Sequence, residues 1–505
     1  MRQWLKATFG ALEPETHRYT RRLAIMLLAV VYACAFASLG VQVQGLVGSG
    51  GIQPAAQLLD AVASSSGGPA FWRLPTLFWL DASDGALQAV CVLGFLSAGL
   101  LFFGVAPRLF AACAWGLYLS LVSVGGIFLG YQWDALLLET GFLAIWLAPA
   151  RLSPRSAWSA PVEPLAVWLL RFLLFKLMFL SGMVKLLSGD ETWRALTAMD
   201  FHYWTQPLPS PASWFVHHLP SSVHAIEVVG TFAVELVVPF LIFLPRPWRW
   251  LAFPPLAGLQ FVIFATGNYG FFNLLTLVLC TLILDDAALR RFVPVRWRPD
   301  APDPERARPH GWSLPRCAFA AFAGLLFLLS GLRMTEQLGV AVFRPAPLAA
   351  LARTVEPFRS VHGYGLFAVM TTQRNEIALE GSRDGKTWHA YRFRYKPGPV
   401  DEAPAFAGPH MPRLDWQLWF AALRGCARAP WFHAFLRQVL LGEPAVLGLL
   451  ADNPFPDAPP RYLRTPLAGY RFSDPGDEHW WATEPRGSFC PTVKLQDGRL
   501  VALRS

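Results

Sequence analysis

Charge is what this chain has least of. Asp, Glu, Lys and Arg make up 15% of its 505 residues, against about 25% in soluble domains. With 54% hydrophobic residues and a mean hydropathy of +0.36, so little charge cannot cover a water-facing surface, which excludes a wholly soluble enzyme. Acidic residues are the scarcer kind, 34 against 43 basic ones, for a net charge of +9. That excess would suit nucleic acid if it formed a patch. Here the Arg residues sit in short linkers between apolar runs, the pattern of membrane orientation, so no nucleic acid is expected. The seven cysteines contain no C-x-x-C pair. G-x-S-x-G, G-x-G-x-x-G, the P-loop and zinc-ligand spacings are all missing, so no catalytic signature, cofactor or metal is expected. A Ser/His triad is defined by geometry and is not excluded. Repeats of fixed period are absent.

Long hydrophobic runs are what is there. A bilayer-spanning helix needs about 20 mostly apolar residues. Runs at 23–46, 86–105, 107–130, 131–149, 164–187, 225–245, 249–266, 269–284 and 316–336 predict about nine spans. Ala35-Phe36-Ala37 could mark a signal-peptidase site, but a long charged stretch precedes the first run and further runs follow, so it reads as an uncleaved span. With residues 1–22 in the cytoplasm, Arg108, Arg151, Arg155, Arg246, Arg249 and the Arg-rich linker 285–315 all fall inside. The outer loops 47–85 and 188–224 carry only Arg73 and Arg194 as basic residues. This asymmetry follows the positive-inside rule and sends residues 341–505 outside.

That tail changes character. Residues 376–396 alternate around Ser-Arg-Asp-Gly, a hairpin signal. Residues 413–425 and 430–451 have helical periodicity, and 460–473 and 492–503 read as strands. The expected architecture is a polytopic α-helical membrane bundle, residues 23–340, followed by a mixed, β-rich extracytoplasmic domain long enough to bury a core of its own. Cys34, Cys91, Cys113, Cys280 and Cys317 lie in apolar runs and read as small buried hydrophobes. Cys426 and Cys490 lie in the tail and could join if it faces an oxidising compartment; the sequence does not decide this.

Ionisable side chains inside spans cost about 2.5–3.5 kcal/mol each at mid-helix, so each one needs a reason. Asp134 and Glu139 lie in the fourth run, Arg171, Lys176 and Lys185 in the fifth, Glu227 and Glu235 in the sixth. At 100° per residue, Arg171, Phe175, Met178, Gly182 and Lys185 share one face, and Lys176 points elsewhere. Pairing of that basic face with acids of the neighbouring spans is expected, with Asp134, Lys185 and Glu227 snorkelling at the ends. A substrate or proton site is the competing reading. Loop 188–224 holds Asp190, Trp193, Asp200, His202, Tyr203, Gln206, His217, His218 and His224. Its aromatics suggest an interfacial platform, against ordinary packing or a metal site whose ligand spacing is not found. Thr266–Asn273, with two glycines and two asparagines, reads as a hairpin turn or the lining of an external cavity.

Several stretches together resemble the lipase maturation factor family: YQWDALLLETGFLAI (131–145), GDETWRALTAMDFHYWTQPLPSPASWFVHHLP (189–220), TGNYGFFNLLTLVLC (266–280), YGLFAVMTTQRNEIALEGSRDGKTW (364–388), PHMPRLDWQLWFAAL (409–423) and NPFPDAPPRYLR (453–464). The resemblance covers roughly residues 85–485. It implies a membrane protein needed for dimeric lipases to fold and assemble, whose lumenal C-terminal domain contacts the client. The Ala/Arg/Pro-rich composition suggests a bacterial member in the inner membrane, with periplasm replacing lumen. The expected function is thus a membrane-anchored maturation factor, a chaperone-like assistant for exported proteins such as lipases, in contact with membrane lipids. Trp388, Tyr391, Trp416, Trp419, Trp480 and Trp481 are the candidate client anchors, because aromatic residues dominate binding hot spots; their alternative is the domain's own core. The competing function is a membrane-embedded enzyme or carrier for a lipid or quinone, built on the intramembrane charges.

Overall fold

The computed structural model describes residues 16–65, 68–290, 314–343 and 345–503. The expected cytoplasmic segment 1–22 lies outside these residues up to position 15, and the expected linker 285–315 from position 291 to 313. The principal helices are α1 (Arg18–Gly40), α2 (Asp84–Phe103), α3 (Pro107–Val124), α4 (Gln132–Leu147), α5 (Pro164–Leu187), α6 (Ser221–Phe232), α7 (Arg246–Thr266), α8 (Phe272–Thr281) and α9 (Leu314–Gln337). Among the described residues, six helices are long and apolar enough to cross a membrane: α1, α2, α3, α5, α9 and α6 with its extension to Phe243. The sequence suggested nine. The other three runs are α4, which has 16 residues, α8, which has 10, and α7, which is interrupted by Pro254 and Pro255.

Local chemistry sets the helix ends. Ser83 accepts from the Ala86 N–H to cap α2, which ends at Gly104 in the left-handed region, φ 76°. Pro107 and Pro164 open α3 and α5 at positions where their missing N–H costs nothing. After α6 the helix widens into a π-turn at Ala233–Val237 and tightens into a 3₁₀ turn at Val238–Phe243, which contains Pro239. Such a mid-helix change of winding re-aims a side chain; here that side chain is Glu235. Helix α5 is the hub, with 72% of its apolar window buried, whereas α9 and the α6 segment, at 22% each, lie at the rim. A Cβ on Gly94 of α2 would fall 2.2 Å from the Phe36 ring of α1, so the close approach of the two helices at that point requires glycine.

The tail opens with a ten-residue helix at Ala346–Val355 and then carries two antiparallel sheets and two longer helices. The strands are β1 (Arg374–Ile377), β2 (Leu379–Ser382), β3 (His389–Tyr391), β4 (Tyr462–Arg464), β5 (Pro466–Phe472), β6 (Trp481–Ser488), β7 (Val493–Gln496) and β8 (Arg499–Ala502). They form one sheet of order β1-β5-β6 and another of order β3-β2-β4-β7-β8. The β2–β3 hairpin matches the alternation read from 376–396. Its turn is fixed by Asp384, which accepts from the Ser382 hydroxyl and from the Lys386 and Thr387 N–H groups. Helices α10 (Arg413–Arg424) and α11 (Pro430–Leu441) follow. The helix expected over 430–451 stops early, because Gly442 adopts φ 71° and ends it. Strand β6, with Pro485 and Gly487 in its run, was not legible as a strand.

A separate core for the tail was expected and is not what forms. One continuous set of buried residues runs from Ala24 of α1 to Val493 of β7. The tail packs on a single end of the bundle. That end carries the segment after α1, the α3–α4 turn, loop 188–224 and the Asn268 turn. Arg108 lies at the opposite end, where it donates to the Ala148 carbonyl.

Candidate functional site

The seam between tail and bundle is held by side chains that no hydropathy pattern predicts. Asp134, near the start of α4, is fully buried rather than snorkelling. Its partner is not a span. Arg413, at the start of α10, reaches it with two hydrogen bonds of 2.9 and 2.8 Å. This is the fork-to-carboxylate geometry in which Arg binds most strongly. The Tyr118 hydroxyl also donates to Asp134, and Arg413 donates to the Phe128 carbonyl. Burial on its own would lower the guanidinium's pKa, but the Asp134 carboxylate and its hydrogen bonds outweigh that and hold the group charged, above its usual range.

Glu139, about one and a half turns further along α4, forms a second junction. It pairs with Lys176 of α5. It also accepts from the Tyr364 hydroxyl at 2.6 Å and from the His362 N–H at 3.2 Å, both in the tail. The void beside Glu139 measures about 10 Å³, at the lower limit for one water molecule. Lys185 pairs with Glu235 at 2.7 Å, as expected for the basic face of α5. Arg171, on that same face, donates to the Leu282 carbonyl at 2.7 Å. The charges of Asp134, Glu139 and Lys176 are thus taken up by buried ion pairs. That is the arrangement of a structural joint rather than of a charge-lined substrate site.

Loop 188–224 folds into short helices at Glu191–Arg194, Ala198–Thr205 and Pro211–His217 and becomes the floor on which the tail rests. Asp190 caps the first with one oxygen and accepts from the Met370 N–H with the other. Trp193 is buried and donates to the Phe367 carbonyl. The carbonyls at the end of the second helix (Trp204, Gln206 and Pro207) all accept from Arg374 of β1, a cation placed where the helix dipole favours it. Gln206 accepts from Tyr269. The Asp200 carbonyl accepts from Trp204, and Tyr203 donates to Glu227, which also meets His224 at 2.9 Å. His218 bridges the Trp214 and Ser473 carbonyls, and the His217 ring lies against Phe472. In the Thr266–Asn273 turn, Asn268 serves as a socket: it donates to the Ala405 carbonyl and accepts from Ala407, while its own carbonyl takes Trp416.

Most of the expected client anchors are consumed by this seam or by the tail itself. Tyr391, Trp416 and Trp481 are buried. Trp419 donates to the Thr205 carbonyl, and Trp388 is half-buried beneath Arg464, 4.4 Å from its ring centre. Trp480 remains at the rim against Trp214 and the exposed Phe215. Sequence reasoning missed Arg413, Arg374 and Tyr364, and saw Asn268 only as part of the Thr266–Asn273 turn. Each is an ordinary polar residue in its local sequence. Cys426 and Cys490 are joined in a disulfide with Cα atoms 5.5 Å apart. They and His433 are the one group of three potential metal ligands found within reach of one another among the described residues; with the two sulfurs bonded together, it is not a ligand set.

Burial holds two seam histidines in the neutral form. His202, mostly buried and near Lys185, is pushed down to about 4, and so is His410, beside Arg413 and Arg394. The unfolded chain takes up these protons near pH 6.5, the folded chain only near 4. The stability they contribute is therefore complete above 6.5 and is lost as pH falls toward 4. Unfolding followed between pH 7 and pH 4 should show this decline, with a shallower slope in His410→Gln.

Both parts of the chain match known families. The lipase maturation factor transmembrane domain matches residues 19–291, and the lipase maturation factor C-terminal domain matches residues 360–491. Lipase maturation factor 2 of Mus musculus is 37% identical over 96% of this chain and 84% of its own length. Lipase maturation factor 1 of Bos taurus is 33% identical over 98% of this chain and 92% of its own. No solved structure matches. Two domain matches in the family's order, joined by a seam of paired charges, leave one reading of descent: the chain belongs to the lipase maturation factor family.

Proposed function

We propose that this chain is a membrane-anchored maturation factor that helps exported lipases fold and assemble. The observation that carries this reading is similarity to lipase maturation factors along nearly the whole chain, bundle and tail together. The bundle, 23–340, anchors the protein and the tail, 341–505, meets the client. Two features support a bacterial inner-membrane topology with residues 1–22 in the cytoplasm and the tail in the periplasm. The Arg-poor loops share the end of the bundle that carries the tail, and the Cys426–Cys490 bond suits an oxidising compartment. The net charge of +9 then serves topology rather than nucleic acid. Exposed Phe103, Phe261 and Val237 face membrane lipid.

The client contacts the rim where bundle and tail meet, at Phe215, Leu219 and Trp480. Phe215 is 61% exposed and Leu219 42%, and an aromatic cluster at such an edge is a typical anchor. The test is co-expression with an exported lipase of the same host in cells that lack the chain. Active lipase should fall severalfold without the chain while lipase synthesis stays constant. Phe215→Glu and Trp480→Glu together should reproduce the loss without lowering the melting temperature. Unchanged lipase activity in the deletion strain would sink the client class, and unchanged activity in the double variant alone would sink the contact surface.

A further inference from the structure

A cavity of about 420 Å³ lies between α5, α6, α7, α8 and the helix Ala198–Thr205. That volume falls in the ordinary range for ligand sites, about 300–1,000 Å³. Its walls are mainly apolar, with Met178, Leu259, Ile263 and Phe272 among them. Lys185, His202, Tyr269 and Asn273 also line it, and all four stand near the helix ends that carry the tail. Leu177, Pro255 and Leu259 lie farther along α5 and α7, toward mid-bundle. The cavity is thus polar at one end and apolar along its length.

Three observations narrow what it would hold. The full charges in its wall already have partners: Lys185 takes both oxygens of Glu235, and Glu227 accepts from Tyr203 and meets His224. An ionised headgroup would enter without a counter-charge, which is costly away from water. Asn273 is fully buried, and its Nδ2 donates to Gln260 at 2.9 Å, but among the described residues its Oδ1 has no partner. A buried acceptor left open calls for a donor. A hydroxyl both donates and accepts, so it satisfies the amide in either orientation. Finally, the side wall is open: Gly230 of α6 and Gly258 of α7 both line the cavity, and a Cβ on either would meet nothing within 4 Å among the described residues. The neighbouring Ile226, Val229, Phe261 and Val262 are exposed, as side chains facing hydrocarbon would be.

We propose that this cavity binds a neutral lipid with a hydroxyl headgroup, of the acylglycerol class, which enters from the bilayer between Gly230 and Gly258 and places its hydroxyl on Asn273. The fatty chain runs along Met178, Leu259 and Ile263. The test uses the full chain in nanodiscs, with dioleoylglycerol as the probe and phosphatidic acid of the same chains as the anionic comparison. Dioleoylglycerol should bind saturably, and phosphatidic acid at least tenfold more weakly. Asn273→Leu removes the acceptor and Gly258→Leu fills the open wall; each should weaken binding at least tenfold, about 1.4 kcal/mol. Gly258→Leu grows into free space, so it keeps the experiment decisive if Asn273→Leu does not accumulate. Non-saturable partitioning, equal affinity for phosphatidic acid, or unchanged affinity in Gly258→Leu would each overturn the proposal.

Discussion

Arg413→Ala is expected to be the most destabilising single change at the seam. It removes the partner of a fully buried carboxylate, Asp134, and breaks the hydrogen bond to the Phe128 carbonyl. Breaking a buried pair from one side costs roughly 3–5 kcal/mol, because the remaining charge has neither water nor a counter-ion. Asp134→Leu should cost a similar amount by stranding the guanidinium. The diagnostic variant is the double one, Arg413→Met with Asp134→Leu. It removes both charges and fills the same space, so it should regain most of the loss. Thermal unfolding in detergent would measure the set. A single variant as stable as the unchanged protein, or a double variant worse than the sum of the singles, would show that the pair is not the joint. Limited proteolysis adds a second readout: loss of the pair should expose the chain between α9 and β1 to cleavage before the bundle itself unfolds.

Loss of the Cys426–Cys490 bond is the second large expectation. The bond ties the turn between α10 and α11 to the segment after β6, across 64 positions in sequence. On the chain-entropy account, opening a loop of that length costs about 4 kcal/mol, and native bonds in small domains are typically worth about 2–5 kcal/mol. Cys426→Ser or Cys490→Ser should therefore lower the stability of the tail by several kcal/mol, and a reducing agent should do the same to the unchanged protein. The experiment also bears on sidedness. Alkylation of chains taken directly from cells should leave both cysteines unmodified until reductant is added. Modification of both without reductant would place the tail on the reducing side and overturn the topology proposed above. Cys91 and Cys280, buried among apolar neighbours, should stay unreactive either way.

The two expectations differ in how far the sequence anticipates them. Cys426 and Cys490 stood out as the cysteines outside apolar runs, so their bond was legible as a condition on the compartment. The Arg413–Asp134 pair was not legible at all. Asp134 was assigned to neighbouring spans because spans are what local hydropathy reveals. Its partner lies 279 positions away, in a segment whose own pattern says only amphipathic helix. The client anchors failed for a related reason. A Trp in an amphipathic stretch looks the same whether its apolar face meets a partner, its own sheet or the top of a membrane bundle, and Trp416 and Trp419 turned out to meet the bundle.

By itself the sequence determined what depends on short-range chemistry: apolar runs long enough to span, Arg concentrated in alternate loops, the hairpin around Asp384, and the motifs that mark the family. These are properties of contiguous residues, and water and lipid read them locally. Only the tertiary structure decided that tail and bundle share one core, which charges neutralise which, and that a cavity opens between α6 and α7 while Asp134 and Glu139 are buried in ion pairs. Those outcomes depend on which faces come together, and a face meets its partner across hundreds of residues, where periodicity carries no information.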